Sequence, residues 1–275
     1  MKTYLKLIVL LYFACIDCGL AQSSEGELSI NLTFSEDIRA SVKSEGRLFI
    51  FLTQNPLAEP RTLTAPFPWA KAHIFAMNFS DLKPKKAIEL DKSMLWSKTS
   101  DWSLGNIPAG KYFIQVLWDQ DTHSAGVNAQ GNLHSEKTEV DINGNTAVSL
   151  SINKTIAGPT IIESEHVRLV DFKSDTLSKW WGRSFSMKAS ILLPSNYDTN
   201  IKYPISYNVA GYGGRYDRIN SVLKNEDFMS WWESDDSPQV IYVFLDGDSP
   251  YGDSYHMDSE NNGPHGYALI HELIP

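Results

Sequence analysis

The stretch from 203 to 214 reads Tyr203-Pro-Ile-Ser-Tyr-Asn-Val-Ala-Gly-Tyr-Gly-Gly214. Its first half carries the β-branched and aromatic residues that favour a strand, and its second half is rich in glycine. Glycines at the end of a strand leave backbone N–H groups accessible, because no side chain shields them. Such groups can stabilise a developing oxyanion, and the amides of Tyr212 and Gly213 are the candidate donors. A glycine-rich turn that only ends a strand is the alternative.

Strand-like and helix-like segments alternate on both sides of this stretch, over residues 160–275. The strand-like segments are 166–172, 187–193, 203–209 and 240–245, and the helix-like segments are 218–232 and 266–273. A continuous apolar run such as 240–245 is typical of a strand buried on both faces. Residues 160–275 are therefore predicted to form an α/β domain with a buried, largely parallel sheet.

Residues 27–153 show a different pattern, in which apolar and polar residues alternate. The segment 28–34 begins the series, and Gly, Pro and Asn separate the later segments. This spacing without long helical runs is typical of an antiparallel β-sandwich. The dipeptide Asn143-Gly144 predicts a β-hairpin, since both residues tolerate positive φ. The predicted fold class is thus an all-β domain, an antiparallel β-sandwich, followed by an α/β domain.

The ordered motifs of the second region resemble those of the esterase D-like branch of the α/β-hydrolases. The resemblance covers residues 163–275 and implies an α/β-hydrolase domain that is incomplete. Ser190–Tyr197 is similar to the family's x-V-x-L-P-x-x-Y strand, Lys202-Tyr-Pro204 to its K-Y-P-V strand start, Gly211–Gly214 to its HG-x-G oxyanion loop, Asp253-Ser-Tyr255 with Asp258 to its S-x-Y-x-D loop, and Tyr267 with Glu272–Pro275 to its helix ending in E-L-I-P.

The sequence departs from this family at two places. Ala210 stands where the family often has histidine. The family's nucleophile elbow, G-x-S-x-G, follows the E-L-I-P helix, with Asp and His later, whereas this sequence ends at Pro275 and contains no such motif. Ser249 and Ser254 each follow Gly-Asp but lack the closing glycine. The resemblance therefore implies the first part of a cofactor-free Ser-His-Asp esterase, and this chain alone is predicted to be inactive.

The acidic loop after residue 245 supplies the candidate residues of a substrate cleft. They are Asp246, Asp253, Tyr255, His256 and Asp258. Loops at the carboxyl ends of strands form the ligand sites of α/β sheets, which favours a cleft here. A polar surface loop is the alternative. The seven histidines show none of the short spacings of zinc sites, so no metal site is predicted from them.

Residues 1–21 have the features of a secretory signal peptide: two lysines, a short apolar run, and Gly19-Leu-Ala21 before the cleavage point. The run is shorter than the ~20 residues that a bilayer requires, so no transmembrane segment is predicted. The protein is expected to be secreted or periplasmic. An outer-membrane lipoprotein anchored through Cys15 or Cys18 is the weaker alternative, because bulky or charged residues precede both cysteines.

The composition excludes several classes of protein. The chain has 275 residues, a net charge of −9 and 42% apolar residues, which argues for a globular protein and against nucleic-acid binding. A small-molecule or carbohydrate ester is the expected substrate. The alternative is a non-catalytic envelope protein that binds a glycan or a siderophore. Whether Asp119 and Asp121 bind calcium stays open, as do the oligomeric state and the role of the first domain.

Overall fold

The fold is described from a computed structural model for residues 25–64, 72–209 and 211–275. This part of the chain is built mostly from β-strands, arranged as a ten-stranded sheet, a four-stranded sheet and a two-stranded ribbon. The signal peptide predicted for 1–21 lies outside the described residues. Among the residues described, no helix is both long enough and apolar enough to cross a bilayer.

The first sheet contains ten strands. They are β1 (Glu25–Phe34), β2 (Gly46–Thr53), β3 (His73–Phe79), β4 (Ile88–Leu90), β5 (Ser97–Lys98), β6 (Ile107–Pro108), β7 (Gly110–Asp119), β8 (Leu133–Ser135), β9 (Thr138–Ile142) and β10 (Gly144–Thr155). Their order is β4-β1-β10-β8-β7-β2-β3-β5, with β6 beside β1 and β9 beside β7. β1 runs parallel to β10, and the other neighbours are antiparallel.

The antiparallel β-sandwich predicted for 27–153 is wrong, because these strands form one curled, mixed sheet. Alternate side chains of the long strands meet in one main core, and the opposite face carries a smaller buried cluster of Phe51, Ala72 and Leu117. That core includes Leu28, Ile30, Leu32, Leu48, Ile50, Leu52, Ile114, Val116, Trp118 and Ile152. Alternation in a sequence tells which side chains are buried, but not which strand lies beside which. The alternating pattern therefore does not indicate that β1 and β10 pair in parallel.

The hairpin predicted at Asn143-Gly144 is also wrong. Gly144 has a φ of +67°, as a tight turn requires. The two strands that it joins nevertheless pair elsewhere, since β9 lies against β7 and β10 lies against β1 and β8. Of the two predicted turn residues, Gly144 has a positive φ and Asn143 does not, and the turn connects two strands that diverge to different neighbours.

The second sheet has four strands. They are β11 (Val167–Lys173), β12 (Ser186–Leu192), β13 (Ile205–Asn208) and β14 (Ile241–Leu245), in the order β11-β12-β14-β13. β11 and β14 are antiparallel to β12, and only β13 and β14 are parallel. The predicted fold class is therefore wrong here too: the largely parallel α/β-hydrolase sheet is not present. Helical and strand segments alternate in this region, but their order does not fix the direction of each strand.

Short helices cover both faces of this sheet. They are α1 (Asp175–Trp181), α2 (Ile219–Leu223), α3 (Glu226–Trp232) and α4 (His265–Ala268, continued by a π-helical turn at Leu269–Leu273); β15 (Asp258–Ser259) and β16 (Gly263–Pro264) form the ribbon, and 3₁₀ turns occupy Glu36–Ser41, Pro60–Thr62 and Tyr216–Arg218. Val243 and Leu245 pack with α1 and α4, whereas Phe244 packs with α2 and α3. The apolar run of β14 is therefore buried on both faces.

Residues 218–232, predicted as one helical segment, are divided into α2 and α3. The side chain of Asn225 accepts a hydrogen bond from the Phe228 amide and so begins α3 anew. Trp232 at the end of α3 is fully buried, and its indole N–H donates to the Leu193 carbonyl at 3.0 Å. This hydrogen bond joins α3 to the end of β12.

β13 is an exposed edge strand. In the described part of the chain it pairs only with β14, and Ile205 is 49% exposed. An unpaired edge with apolar side chains can pair with another chain. We predict that the purified protein self-associates with rising concentration and that Ile205→Lys reduces this association, as measured by sedimentation velocity. Leu57→Lys, at an exposed turn of the first sheet, is the matched control. A wild-type protein that stays monomeric at all concentrations would contradict the prediction.

Candidate functional site

The glycine-rich loop 211–214 lies at the carboxyl end of β13, on the surface of the protein. Gly213 has a φ of +74°, a conformation that favours glycine. The Gly214 amide donates to the Gly211 carbonyl at 3.0 Å, which closes a tight turn. The side chain of Tyr212 is 90% exposed. The backbone of this loop is therefore open to approach from solvent.

The side chain of Asp253 accepts a hydrogen bond from one of the two candidate oxyanion-stabilising amides. Gly213 N donates to Asp253 Oδ2 at 2.6 Å, and Arg215 Nη1 donates to Asp253 Oδ1 at 2.6 Å. The Asp253 side chain is only 4% exposed. In this conformation the loop thus binds an anionic oxygen of Asp253 and not an oxygen of a substrate.

Arg215 lies among three carboxylates. Besides Asp253, it contacts Asp248 at 3.1 Å and Asp246 at 3.9 Å. Burial raises the pKa of Asp246 to about 6, and burial also raises the pKa of Asp248. Burial alone would lower the pKa of Arg215, but the hydrogen bond to Asp253 and the charges of the carboxylates raise it. The guanidinium therefore stays charged and holds the cluster together.

The strand arrangement explains why these residues meet. β13 and β14 are parallel, so their carboxyl ends lie at the same edge of the sheet. Asp246 follows β14 directly, and its amide donates to the Lys188 carbonyl, which extends the pairing with β12. The Ser254 amide donates to the Gly247 carbonyl at 2.8 Å. This folds the acidic loop back so that Asp253 reaches the loop after β13.

The remaining predicted cleft residues lie apart from the Arg215 cluster. Tyr255 and His256 both have positive φ values, of 50° and 53°, and such backbone strain is common at functional sites. His256 is 8% exposed, and neither ring nitrogen has a partner among the described residues. Burial and the charge of Arg218 lower its pKa. Asp258 instead accepts from the Tyr267 amide at 2.9 Å, at the start of α4.

The possible calcium ligands of the first sheet are engaged within their own loops. Asp119 Oδ1 accepts from the Asn132 side chain at 2.7 Å, and Asp121 Oδ2 accepts from the amides of His123 and Ser124. Over the described ranges, no group of three acidic, histidine or cysteine side chains is placed to hold a metal ion. The Asp119–Asn132 segment is thus organised by hydrogen bonds between its own side chains and amides.

The sequence missed two residues that shape the site. Arg215 follows the glycines directly, and that position was the only signal for it. His265, which no sequence motif singles out, is 3% exposed. Burial, followed by the charge of His256, lowers the pKa of His265 to about 4. A single histidine at the start of a helix carries no sequence signal for burial.

Comparisons with known proteins add little. No protein-family model matches the chain, and no curated protein matches it. Among solved structures, the chain is similar to one described as a thermostable esterase, with 12% sequence identity and a TM-score of 0.22. The similarity covers 82% of this chain and 58% of that structure's chain. A TM-score this low establishes neither a shared fold nor a shared activity, and the esterase D-like resemblance stays a prediction.

We predict that Asp246→Asn stabilises the protein at pH 7.5 but not at pH 4. The folded-state pKa of Asp246, about 6, lies above the ordinary value near 4. The stability that this carboxyl contributes is therefore lost as pH rises from about 4 to 6. Asparagine removes the buried charge and should gain up to about 3 kcal/mol at pH 7.5. Melting temperatures at both pH values test this, with exposed Asp235→Asn as the control; equal effects at both pH values would contradict it.

We also predict that Asp253→Ala frees the Gly213 amide for another anion. In the variant, added acetate should shift the Gly213 signal in ¹H–¹⁵N NMR spectra in a saturable way, because Arg215 remains nearby. The wild-type signal should not respond, since Asp253 already accepts from that amide. Asp235→Ala serves as the control. An acetate response of equal size in the wild-type protein would show that Asp253 does not occupy the amide in solution.

Proposed function

We propose that the chain is part of an exported carboxylic-ester hydrolase in which the loop 211–214 supplies the oxyanion-stabilising amides. The contact between the Gly213 amide and the Asp253 carboxylate carries this proposal. It supports the proposal because a tetrahedral ester intermediate needs an anionic oxygen held in the same way, by a fixed backbone N–H. For catalysis, Asp253 would have to leave the amide so that the substrate oxygen takes its place.

The two serines nearest to an elbow motif do not serve as nucleophiles in this proposal. Ser249 is fully buried and its hydroxyl donates to the Gly252 carbonyl. Ser254 is also buried, and its hydroxyl donates to the Gly247 carbonyl at 3.3 Å. A serine hydroxyl becomes a strong nucleophile only when a base accepts its proton, and these hydroxyl protons are directed at backbone carbonyls.

We therefore predict that this chain alone does not hydrolyse p-nitrophenyl acetate faster than buffer. Ser249→Ala and Ser254→Ala should leave that baseline unchanged, because neither hydroxyl has an activating base. Release of p-nitrophenolate at 405 nm measures the rate. A protein-dependent rate that either substitution abolishes would show that one of these serines is the nucleophile.

The nucleotide sequence of the gene, together with the activity of the polypeptide it encodes, tests the esterase proposal. The reading frame beyond codon 275 should encode a strand and a G-x-S-x-G motif soon after the helix 265–273. The longer polypeptide should hydrolyse p-nitrophenyl acetate, and changing the serine of that motif to alanine should abolish the activity. A native stop codon at this point, or a longer polypeptide without activity, would refute the proposal and favour a binding protein.

A further inference from the structure

Two adjoining cavities lie between the first sheet's loop 121–130 and the second sheet. Their volumes are about 560 Å³ and 340 Å³, within the usual range for small-molecule sites. His123, Lys188, Asp246 and Asp248 line both cavities. Together the cavities form a cleft that runs past the Arg215 cluster, and we call it the intersheet cleft.

His265 lines the smaller cavity with an unsatisfied polar atom. Its Nε2 is buried and has no hydrogen-bond partner among the described residues. Burial lowers the pKa of His265 to about 4, so the ring is neutral and one of its nitrogens is an acceptor; we assign that role to the unpartnered Nε2. A buried acceptor without a donor destabilises the folded protein. A ligand that donates a hydrogen bond here would relieve that destabilisation.

The other side chains of the smaller cavity narrow the chemistry of the ligand. Asp171, Asp246 and Asp248 accept hydrogen bonds, Lys188 donates them, and Phe185 supplies an apolar ring. Hydroxyl groups can satisfy both donors and acceptors, whereas the Phe185 ring is 4% exposed and packs against Trp181 and His265. The excess of carboxylates over the single lysine disfavours an anionic ligand.

The larger cavity extends the same polar character onto the first sheet. It is lined there by Ser124 and Gln130, whose side chains can bind hydroxyl groups, and by Asn128, whose side chain is hydrogen-bonded to Arg61. The two sides of the cleft are joined by a hydrogen bond from the Ala125 amide to the Ser249 carbonyl at 3.0 Å. Arg183 also donates to the Thr122 hydroxyl at 2.6 Å. The cleft therefore exists only where both sheets meet.

We propose that the intersheet cleft is a binding site for a short neutral oligosaccharide, with the Nε2 atom of His265 accepting a sugar hydroxyl. The cleft shares Arg215, Asp246 and Asp248 with the Arg215 cluster but does not include the loop 211–214. The proposal holds whether or not the chain is part of an ester hydrolase, since binding requires no nucleophile.

Titration calorimetry with xylotriose, cellotriose and maltotriose tests this site on the purified chain. At least one of the three should bind saturably, and trigalacturonic acid should bind at least tenfold more weakly. His265→Phe keeps an aromatic ring but removes the acceptor, and Asp248→Asn removes a charge. Each should weaken binding of the preferred trisaccharide about tenfold, whereas Asp235→Asn, at an exposed position, should not change it.

His123→Ala provides a second variant if the buried substitutions prevent folding. His123 is exposed, lines both cavities, and should also weaken binding when it is removed. The proposal is overturned if none of the neutral trisaccharides binds below 10 mM (~ −2.7 kcal/mol), or if trigalacturonic acid binds as tightly. It is also overturned if His265→Phe and His123→Ala fold normally and bind as the wild type does. Loss of esterase activity in a longer polypeptide would not affect this result.

Discussion

The guanidinium of Arg215 and its three carboxylates connect the start of the segment after the loop 211–214 to the acidic loop after β14. Asp246 and Asp248 come from the loop after β14, and Asp253 comes from the returning part of the same loop. These groups are largely removed from water, so each charge depends on the others to offset its desolvation. Loss of the arginine would leave Asp248 and Asp253 without their ion-pair partner. The position of the loop 211–214 relative to the acidic loop therefore depends on this side chain and on the hydrogen bond from the Gly213 amide to Asp253.

The sequence predicts many of the strands and helices of the chain, but it does not predict how they are arranged. The alternation of Leu28–Phe34 and the apolar run at 240–245 marked strands that are present as β1 and β14. The predicted strand directions are wrong at the β1–β10 and β12–β14 pairs, because period-two alternation is the same in parallel and antiparallel sheets. The pairing of β1 with β10 joins opposite ends of the first region. Such a pairing is decided by packing between residues far apart in the chain. The local pattern of a single sequence does not reveal this packing.

The site was predictable to the extent that its residues follow strands. Asp246 and Gly213 were selected because each lies just beyond a strand, and the structure places both at one sheet edge. Asp258 was selected by the same argument but caps α4. His265 was missed because burial of a helix-terminal residue depends on Phe185, which packs against it at 5.6 Å from a distant segment. The position of a residue directly after a strand thus predicts that it lies in a loop, but it does not predict which residues the side chain contacts.

The parallel pairing of β1 and β10 also has a consequence for biosynthesis. Gly26 lies beside Gly144, roughly 120 residues later in the chain. At a translation rate of about 5–20 residues per second, β1 emerges roughly 6–24 seconds before β10 is complete. During that interval β4 and β6 can pair with only one edge of β1. The apolar side chains of β1 remain accessible. The nascent chain therefore has a period in which a chaperone that shields this segment would favour productive folding.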